Sequence, residues 1–511
     1  MPKYYITTAI PYASAKPHIG NTFEAVFTDA IARYRKLRGD DVFMLTGMDE
    51  HGQKIQRMAH ELGITPQELV DENTRLLRAN WDLCHVEYDD FIRTTDPRHK
   101  EIVKKIFKKL HDQGDIYKGS YEGWYCLPEE KFFTDSQITD SQVCPECGRG
   151  VEKASEEAYF FRLSKYSDRL ARHIEQNPEF IMPDSRRNEM VNNFIKMGLQ
   201  DFCVSRTSFS WGIEIDFDPA HVMYVWVDAL SNYITALGYD PDGNHGRLFK
   251  RYWPCDVHVI GKDILRFHTL YWPALLMALD IPLPKQIFAH PWFLMGQDKM
   301  SKSMGNVIYA EELCSKYGTD AVRHYLLREM PYAQDGSITR EQFILRCNAD
   351  LSNNLGNLLS RTVTMGEKYF AGTLALSSCA GPDEYTHELD NLATEVKENY
   401  AKSMDVLSVA NAMQEIFKLL DRANLYIDQT MPWALAKDEG KKAELCLVLH
   451  NLCKALQQAS VLLYPIMPVA VKLLRQQLGL PETPGWKESL PDGYSVKRGP
   501  VLFPRIKLST E

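Results

Sequence analysis

The sequence has 511 residues, more than one hydrophobic core organises, so about two to four domains are expected. Hydrophobic residues make up 44% and charged residues 25%, and no apolar run reaches the roughly 18–20 residues that span a bilayer. With 59 basic against 68 acidic residues the net charge is -9, which argues against nonspecific coating of nucleic acid but leaves room for a local basic surface.

The N-terminus, Met1-Pro2-Lys3-Tyr4-Tyr5, runs straight into a strand-like segment without a signal-peptide core, so a cytoplasmic protein with no membrane association is expected. Tyr4 to Ile10 reads as a buried strand, followed by a Pro11-Tyr12 turn. From His18 to Leu37 the apolar residues Ile19, Phe23, Val26, Phe27, Ile31, Tyr34 and Leu37 recur at helical spacing, and Gly39 ends that helix. Asp41 to Thr46 is a second strand, closing in the polar run Gly47-Met48-Asp49-Glu50-His51-Gly52. Strand, helix, strand is the opening of a parallel α/β sheet, where ligands sit at the carboxyl ends of the strands.

Residues 115–220 are rich in aromatics and turns and read as an insertion. Within the preceding helix Lys100, Lys104, Lys105, Lys108 and Lys109 form a basic stripe, read as a solvated face. The α/β pattern resumes at His221-Val222-Met223-Tyr224-Val225-Trp226. It continues with Val257 to Gly261, a helix from Asp263, and a strand from Gln286 to Met295 before a Gly/Lys/Ser loop at 296–305. Beyond about residue 320 long helical patterns dominate, such as Met404 to Tyr426 and Lys441 to Leu463. The expected fold is a Rossmann-like parallel-sheet α/β unit in two halves, 1–114 and 221–320, around the connective insertion 115–220. A linking segment, 321–350, and an all-α helix-bundle domain with its tail, 351–511, follow.

Two segments carry chemistry. His18, Gly20 and Asn21 stand at the start of the first helix, where free N–H groups and a partial positive charge suit phosphate. Gly20 would let a nucleotide approach the backbone, and His18 can donate to phosphate oxygens. Lys299, Ser301, Lys302 and Ser303 lie in the loop after the last sheet strand, where they can follow a triphosphate and neutralise developing charge. The bland alternatives are an incidental histidine and a solvated basic loop. Both lose weight because the two segments follow the first and last strands of one sheet.

Among the cysteines, Cys144-Pro145-Glu146-Cys147-Gly148 is a C-x2-C knuckle of zinc-gripping type, with Cys126 a third candidate ligand. Cys126-Leu127-Pro128-Glu129 offers glutamate at the fourth place. Two readings stay open: a structural zinc with Glu129 as oxygen ligand, or a degenerate site without metal. Cys84, Cys203, Cys255, Cys314, Cys347, Cys379, Cys446 and Cys453 read as structural thiols.

The paired segments resemble the "HIGH" and "KMSKS" signatures of class I aminoacyl-tRNA synthetases. The second is complete at 299–303; in the first, Asn21 stands where a second histidine is usual. Within that class the chain resembles the methionyl family through Ala9-Ile10-Pro11-Tyr12, the Gly47–Gly52 run, Tyr224-Val225-Trp226-Val227-Asp228-Ala229, Gly261-Lys262-Asp263-Ile264, Phe267-His268 and Trp272-Pro273-Ala274. That resemblance implies activation of methionine by ATP with Mg2+, then transfer to tRNA. It places ATP on His18, Gly20, Asn21, Lys299, Ser301, Lys302 and Ser303, with His18, Asn21, Lys299 and Lys302 catalytic. It places methionine on Ile10, Tyr12, Asp49, Trp226, Ala229, Leu230, Tyr233, Ile264, His268 and Trp272, where Leu230 replaces a frequent proline. An aromatic slot suits a thioether, Asp49 an ammonium, and Ile264, His268 and Trp272 share one face of a regular helix.

The resemblance also implies anticodon reading by Asn357, Arg361 and Trp433, a stem contact from 321–350, and a monomer, because the chain stops where many bacterial relatives continue into a dimerising tRNA-binding domain. Rival readings are another class I synthetase, a small-molecule nucleotidyltransferase, and a catalytically degenerate synthetase-like tRNA-binding protein, which Asn21 alone supports.

Overall fold

The structure is a computed structural model and describes residues 1–126, 131–133, 138, 142–145, 148–295, 298–299 and 307–507. Its centre is a six-stranded sheet in the order Asp90–Arg93, Asp41–Met48, Lys3–Thr7, Val257–Gly261, Gln286–His290, Ile181–Met182. Every pairing in it is parallel. Helices cover both faces, which is why these strands place apolar residues on both faces rather than alternating apolar with polar. Side chains still alternate between two cores: Tyr4 and Ile6 face one, Tyr5 the other. The first core is shared with helices Ile19–Arg38 and Pro66–Leu83, the second with Pro97–Asp112 and Val225–Thr235. Strand order reverses beside Lys3–Thr7, and a crevice at that point is where such sheets bind ligands.

Helix Ile19–Arg38 forms as its spacing predicts and ends on Gly39, whose φ of 94° is left-handed. A separate antiparallel sheet joins Lys131–Phe133, Ile116–Cys126, Glu152–Phe161 and Phe202–Cys203. Ile181–Met182, within the stretch expected as an insertion, instead edges the parallel sheet.

Three other expectations need correction. Val222–Met223 is a short strand antiparallel to Ser205–Arg206, outside the central sheet, and Trp226 already lies in a helix. The apolar run there served a helix packed on the sheet, which a short window does not distinguish from a buried strand. The strand expected over Gln286–Met295 is two, split at Pro291-Trp292, with Phe293–Met295 joining Gly336–Ser337 and Asp298–Lys299. The helix expected from Met404 to Tyr426 is the end of Glu384–Asp405 and most of Val409–Thr430. Leu407 turns the chain between them at φ 63° with no glycine or proline to mark it.

The C-terminal helices pack around Lys442–Leu463, whose run from Leu445 to Leu463 is buried at all but Lys454 and the half-buried Gln458. They are joined to the sheet by a fully buried ion pair. Arg323 Nη2 meets Asp29 Oδ2 at 2.6 Å with both side chains wholly inaccessible. The same guanidinium donates to the carbonyls of Cys84 at 2.9 Å, Ile466 at 2.8 Å and Pro465 at 3.0 Å. Asp29 also accepts from Arg33 and from the Glu87 N–H. Replacing Arg323 by Met would leave three buried carbonyls and part of a carboxylate unpaired. The expected loss is on the order of 3 kcal/mol of unfolding free energy, read as a lowered urea midpoint. An unchanged midpoint would show that the pair does not hold the two parts together.

Candidate active site

A cavity of about 550 Å³ opens at the carboxyl ends of the strands beside the order reversal. Ala9 to Tyr12 line it from the loop after Lys3–Thr7, and Gly261, Asp263 and Ile264 from the turn after Val257–Gly261. His18, Gly20, Asn21, Phe23 and Glu24 reach it from the first helix, and Trp226, Ala229, Leu230, Asn232 and Tyr233 from Val225–Thr235. Asp49, Lys54, His268 and His290 to Phe293 complete the wall.

The polar end is built on a helix cap. His18 precedes helix Ile19–Arg38, and its Nδ1 accepts from the Gly20 N–H at 3.0 Å while Asn21 Oδ1 accepts from the His18 N–H at 3.2 Å. With Nδ1 an acceptor, the ring proton of neutral His18 sits on Nε2, the nitrogen free of the cap bond. With Oδ1 used in the cap, Asn21 has its amide nitrogen to offer. A Cβ at Gly20 would fall 2.9 Å from His18 Cε1. The glycine therefore makes room for the capping imidazole, a nearer cause than the nucleotide approach expected from sequence.

Sequence reasoning missed a buried pair beside this cap. Glu24 Oε1 accepts from the Ala9 N–H at 2.8 Å, and Glu24 Oε2 meets His290 Nε2 at 3.0 Å. His290 Nδ1 donates to the Pro291 carbonyl at 2.8 Å. Burial pushes the Glu24 carboxyl up; burial would lower His290, but the hydrogen bond to Glu24 and its charge raise it. Both groups thus hold protons more tightly than usual. The available signal was spacing: Glu24 lies one turn after Asn21, and His290 ends a sheet strand.

The other end is apolar and neutral. Trp226 stacks on Phe267 at 3.5 Å between ring centroids. Tyr233 OH meets His268 Nε2 at 2.7 Å, and His268 Nδ1 meets the Ile264 carbonyl at 3.0 Å. Nδ1 must donate to a carbonyl, so Nε2 accepts from the Tyr233 hydroxyl. Burial lowers His268 to about 4. Ile264 and His268 reach the cavity, but Trp272 does not. A π-helical turn over Phe267–Tyr271 shifts the phase that a regular helix would give the three residues. Trp272 is buried behind the wall, with its indole N–H on His258 Nε2 at 3.2 Å.

Asp49 is buried, its backbone bonded to the Pro11–Ala13 turn: Asp49 N–H donates to the Pro11 carbonyl at 2.9 Å, and its own carbonyl accepts from Ala13 at 2.7 Å. On the helix that carries Trp226 to Tyr233, Asp228 accepts from His51 at 2.6 Å and His99 at 2.7 Å. Burial would raise Asp228, but the His51 charge and both hydrogen bonds lower it to about 2. This network was also missed, because the three residues are distant in sequence.

Lys299 pairs through its backbone with Leu294, next to the cavity residue Phe293. Ser301, Lys302 and Ser303 lie outside the described residues, as do Cys147 and Glu129. Cys126 and Cys144 are buried in one small cluster with Val151, and the Cys144 N–H donates to the Arg149 carbonyl at 2.7 Å. No group of three His, Cys, Asp or Glu that could hold a metal is found among the described residues.

In the helical part, Asn357 opens helix Asn357–Phe370 and Arg361 follows one turn later. Arg361 lies over the Trp433 ring at 5.8 Å and 3.5 Å from Asp428. Trp433 is 43% exposed, unusual for an indole with no core to fill. Asn354, on the turn before Asn357, accepts at 2.7 Å from Asn424 of helix Val409–Thr430; neither was singled out from sequence. On the basic stripe Lys104, Lys105 and Lys108 pair with Asp216, Asp242 and Asp112, and Lys109 bonds the Pro241 carbonyl.

A parallel sheet with its cavity at the order reversal, a capped helix N-terminus in that cavity and a following helical bundle define a class I aminoacyl-tRNA synthetase. The chain matches the family model of class I tRNA synthetases (M) over residues 4–156 and 147–363, and the anticodon binding domain of methionyl tRNA ligase over 378–509. It is 53% identical to the methionine--tRNA ligase of Caldanaerobacter subterraneus subsp. tengcongensis, over 99% of this chain and 80% of that protein. With the enzyme of Bacillus subtilis it shares 48%, over 99% and 78%. Its fold is similar to that of Mycobacterium tuberculosis methionyl-tRNA synthetase in complex with methionyl-adenylate, with TM-score 0.94, 39% identity and coverage of 99% and 100%. The chain belongs to the methionyl-tRNA synthetase family.

The neutral state of His268 has a measurable consequence. Unfolded, it gains a proton as pH falls through about 6.5; folded, not until about 4. The unfolded state binds more protons between those values, so stability is lost as pH falls across that window, by on the order of 3 kcal/mol in full. Urea unfolding from pH 7 to 4 should show His268→Gln losing less stability than the wild type. Parallel curves would mean His268 does not stay neutral.

Proposed function

We propose that the chain joins methionine to its tRNA in two steps within this cavity. ATP, with Mg2+, and methionine give methionyl-adenylate and pyrophosphate; the methionyl group then passes to the 3′ end of tRNA. The observation that carries this reading is one continuous cavity with a capped helix N-terminus at one end and a neutral aromatic slot at the other. Methionine's carboxylate is ionised at neutral pH, so it attacks the α-phosphate without a general base, and rate enhancement comes from positioning and charge stabilisation.

In this reading His18 and Asn21 donate to phosphate oxygens, and Lys299 and Lys302 neutralise charge on the leaving pyrophosphate, with Gly20, Ser301 and Ser303 completing the ATP site. Asp49 takes the ammonium, while Ile10, Tyr12, Trp226, Ala229, Leu230, Tyr233, Ile264 and His268 surround the thioether and Trp272 supports them from behind. Asn21 does not favour a degenerate protein, because its cap role accounts for an amide there. Asn357, Arg361 and Trp433 read unpaired anticodon bases by hydrogen bonding and stacking. Cys126, Cys144, Cys147 and Glu129 are the ligands a structural zinc would take, and metal analysis of the purified protein decides that site. The free thiols fit a reducing cytoplasm.

Pyrophosphate exchange is expected with methionine and not with the other standard amino acids; exchange with none, from folded protein, would refute the activation step. Homocysteine lacks one methyl and should exchange about 10–200-fold less efficiently. Trp433→Ala should lower kcat/KM for aminoacylation by about 5- to 150-fold, the worth of one stacked base, with exchange unchanged. Equal losses in both assays would place Trp433 in the fold rather than at the tRNA.

A further inference from the structure

Helix Val225–Thr235 turns one face to the cavity and the other to a buried charge. Trp226, Ala229, Leu230 and Tyr233 recur at helical spacing on the cavity face, and Asp228 falls on the opposite one, wholly buried. Its two oxygens serve two imidazoles: Oδ2 accepts from His51 Nδ1 at 2.6 Å and Oδ1 from His99 Nε2 at 2.7 Å. An ionised carboxylate only accepts, so both of those nitrogens carry protons. Burial opposes the ionised form, but His51 and His99 lower the carboxyl to about 2. His99, on helix Pro97–Asp112, also meets Thr235 Oγ1 at 2.7 Å, so it holds helix Val225–Thr235 at two points.

His51 lies two residues from Asp49, in the loop after strand Asp41–Met48. Other bonds hold that loop to the sheet and to the insertion. The Asp49 backbone is bonded to Pro11 and Ala13, and the Glu50 carboxylate accepts from Arg93 at 2.7 Å and Thr74 at 2.6 Å. The Trp211 indole N–H donates to the Glu50 carbonyl at 2.6 Å. None of these partners lies on helix Val225–Thr235; the His51–Asp228 bond joins the loop to that helix directly.

We propose that Asp228 is a positioning residue for methionine: through His51 it fixes the separation between Asp49 and the aromatic slot on its own helix. This rests on the reading of Asp49 as the ammonium site and of Trp226 to Tyr233 as part of the thioether slot. Methionine is short, with an ammonium near one end and a thioether near the other. It makes both contacts at once only when the two walls stand at the right distance, and a misplacement of about 1 Å costs on the order of 100-fold in rate. Short charge-assisted bonds from two directions allow the carboxylate little slack, which suits it to hold such a distance. The ATP end stands apart from this link, since His18 to Asn21 belong to helix Ile19–Arg38 and are held by their own cap bonds.

The test is pyrophosphate exchange by the full chain as wild type, Asp49→Asn, Asp228→Leu and the double variant. Asp228→Leu should raise KM for methionine about 10- to 100-fold while KM for ATP stays within about twofold. In the double variant KM for methionine should exceed that of Asp49→Asn by less than about threefold, because spacing no longer matters once the ammonium contact is gone. His51→Leu cuts the same link and leaves Asp228 bonded to His99; it should repeat the split, and it serves in place of Asp228→Leu should that chain not fold. An unchanged KM for methionine, equal rises for methionine and ATP, or losses that multiply in the double variant overturn the positioning role and leave the methionine site standing. No effect of Asp49→Asn on KM for methionine overturns the reading of that site, and the positioning role with it.

Discussion

The buried Arg323–Asp29 pair decides how the two halves of this molecule are held. A guanidinium and a carboxylate with no access to water are costly to bury, and the cost is offset only when nearly every donor and acceptor is used. Here the arginine bonds a carboxylate and three carbonyls, drawn from the first helix of the sheet, the end of Pro66–Leu83 and the turn before Pro468–Gln477. Four parts of the chain converge on one planar group, and its fixed fork geometry transmits the orientation of each to the others. The helical bundle that carries Arg361 and Trp433 is thereby set against the same helix whose N-terminus points into the cavity.

That N-terminus shows how a motif is shaped by local structure before it meets a ligand. The His18-Ile19-Gly20-Asn21 run forms a capping box in which histidine and asparagine each use one atom on the backbone and keep another for the cavity. An aspartate in place of Asn21 could cap equally well but would bring negative charge to the end of the cavity proposed for phosphate; asparagine caps without that charge and keeps a donor. The departure from the usual histidine is consistent with the backbone's need for a side-chain acceptor at that position.

Much of the parallel sheet was legible, because buried strands and amphipathic helices write their periods into sequence. Helix Lys442–Leu463 and strand Val257–Gly261 fall where expected. The errors have physical causes. Trp226 sits in a helix apolar on nearly every side, where no period separates helix from strand, and the π turn at Phe267–Tyr271 inserts a phase shift that composition does not encode. The cavity-lining residues that sequence singled out are adjacent, as at His18–Asn21, or rest on the resemblance. Glu24–His290 and His51–Asp228–His99 were invisible, since His290 and Asp228 lie more than a hundred residues from their partners and only the folded sheet brings them together.

The two ends of the cavity differ in how they treat charge, and the difference follows from the same burial. At the apolar end His268 is spent on Tyr233 and Ile264 and stays neutral, so that wall presents aromatic and aliphatic surface with its polar atoms already satisfied. At the polar end burial pushes the Glu24 carboxyl up, and its oxygen at 3.0 Å from His290 Nε2 sets that carboxyl against a buried imidazole. A thioether is weakly polar and needs the first environment; a triphosphate needs donors without a competing anion and needs the second. On the proposed reading, a substrate with both parts would be oriented by the mismatch of either part with the wrong end, before any single contact is counted.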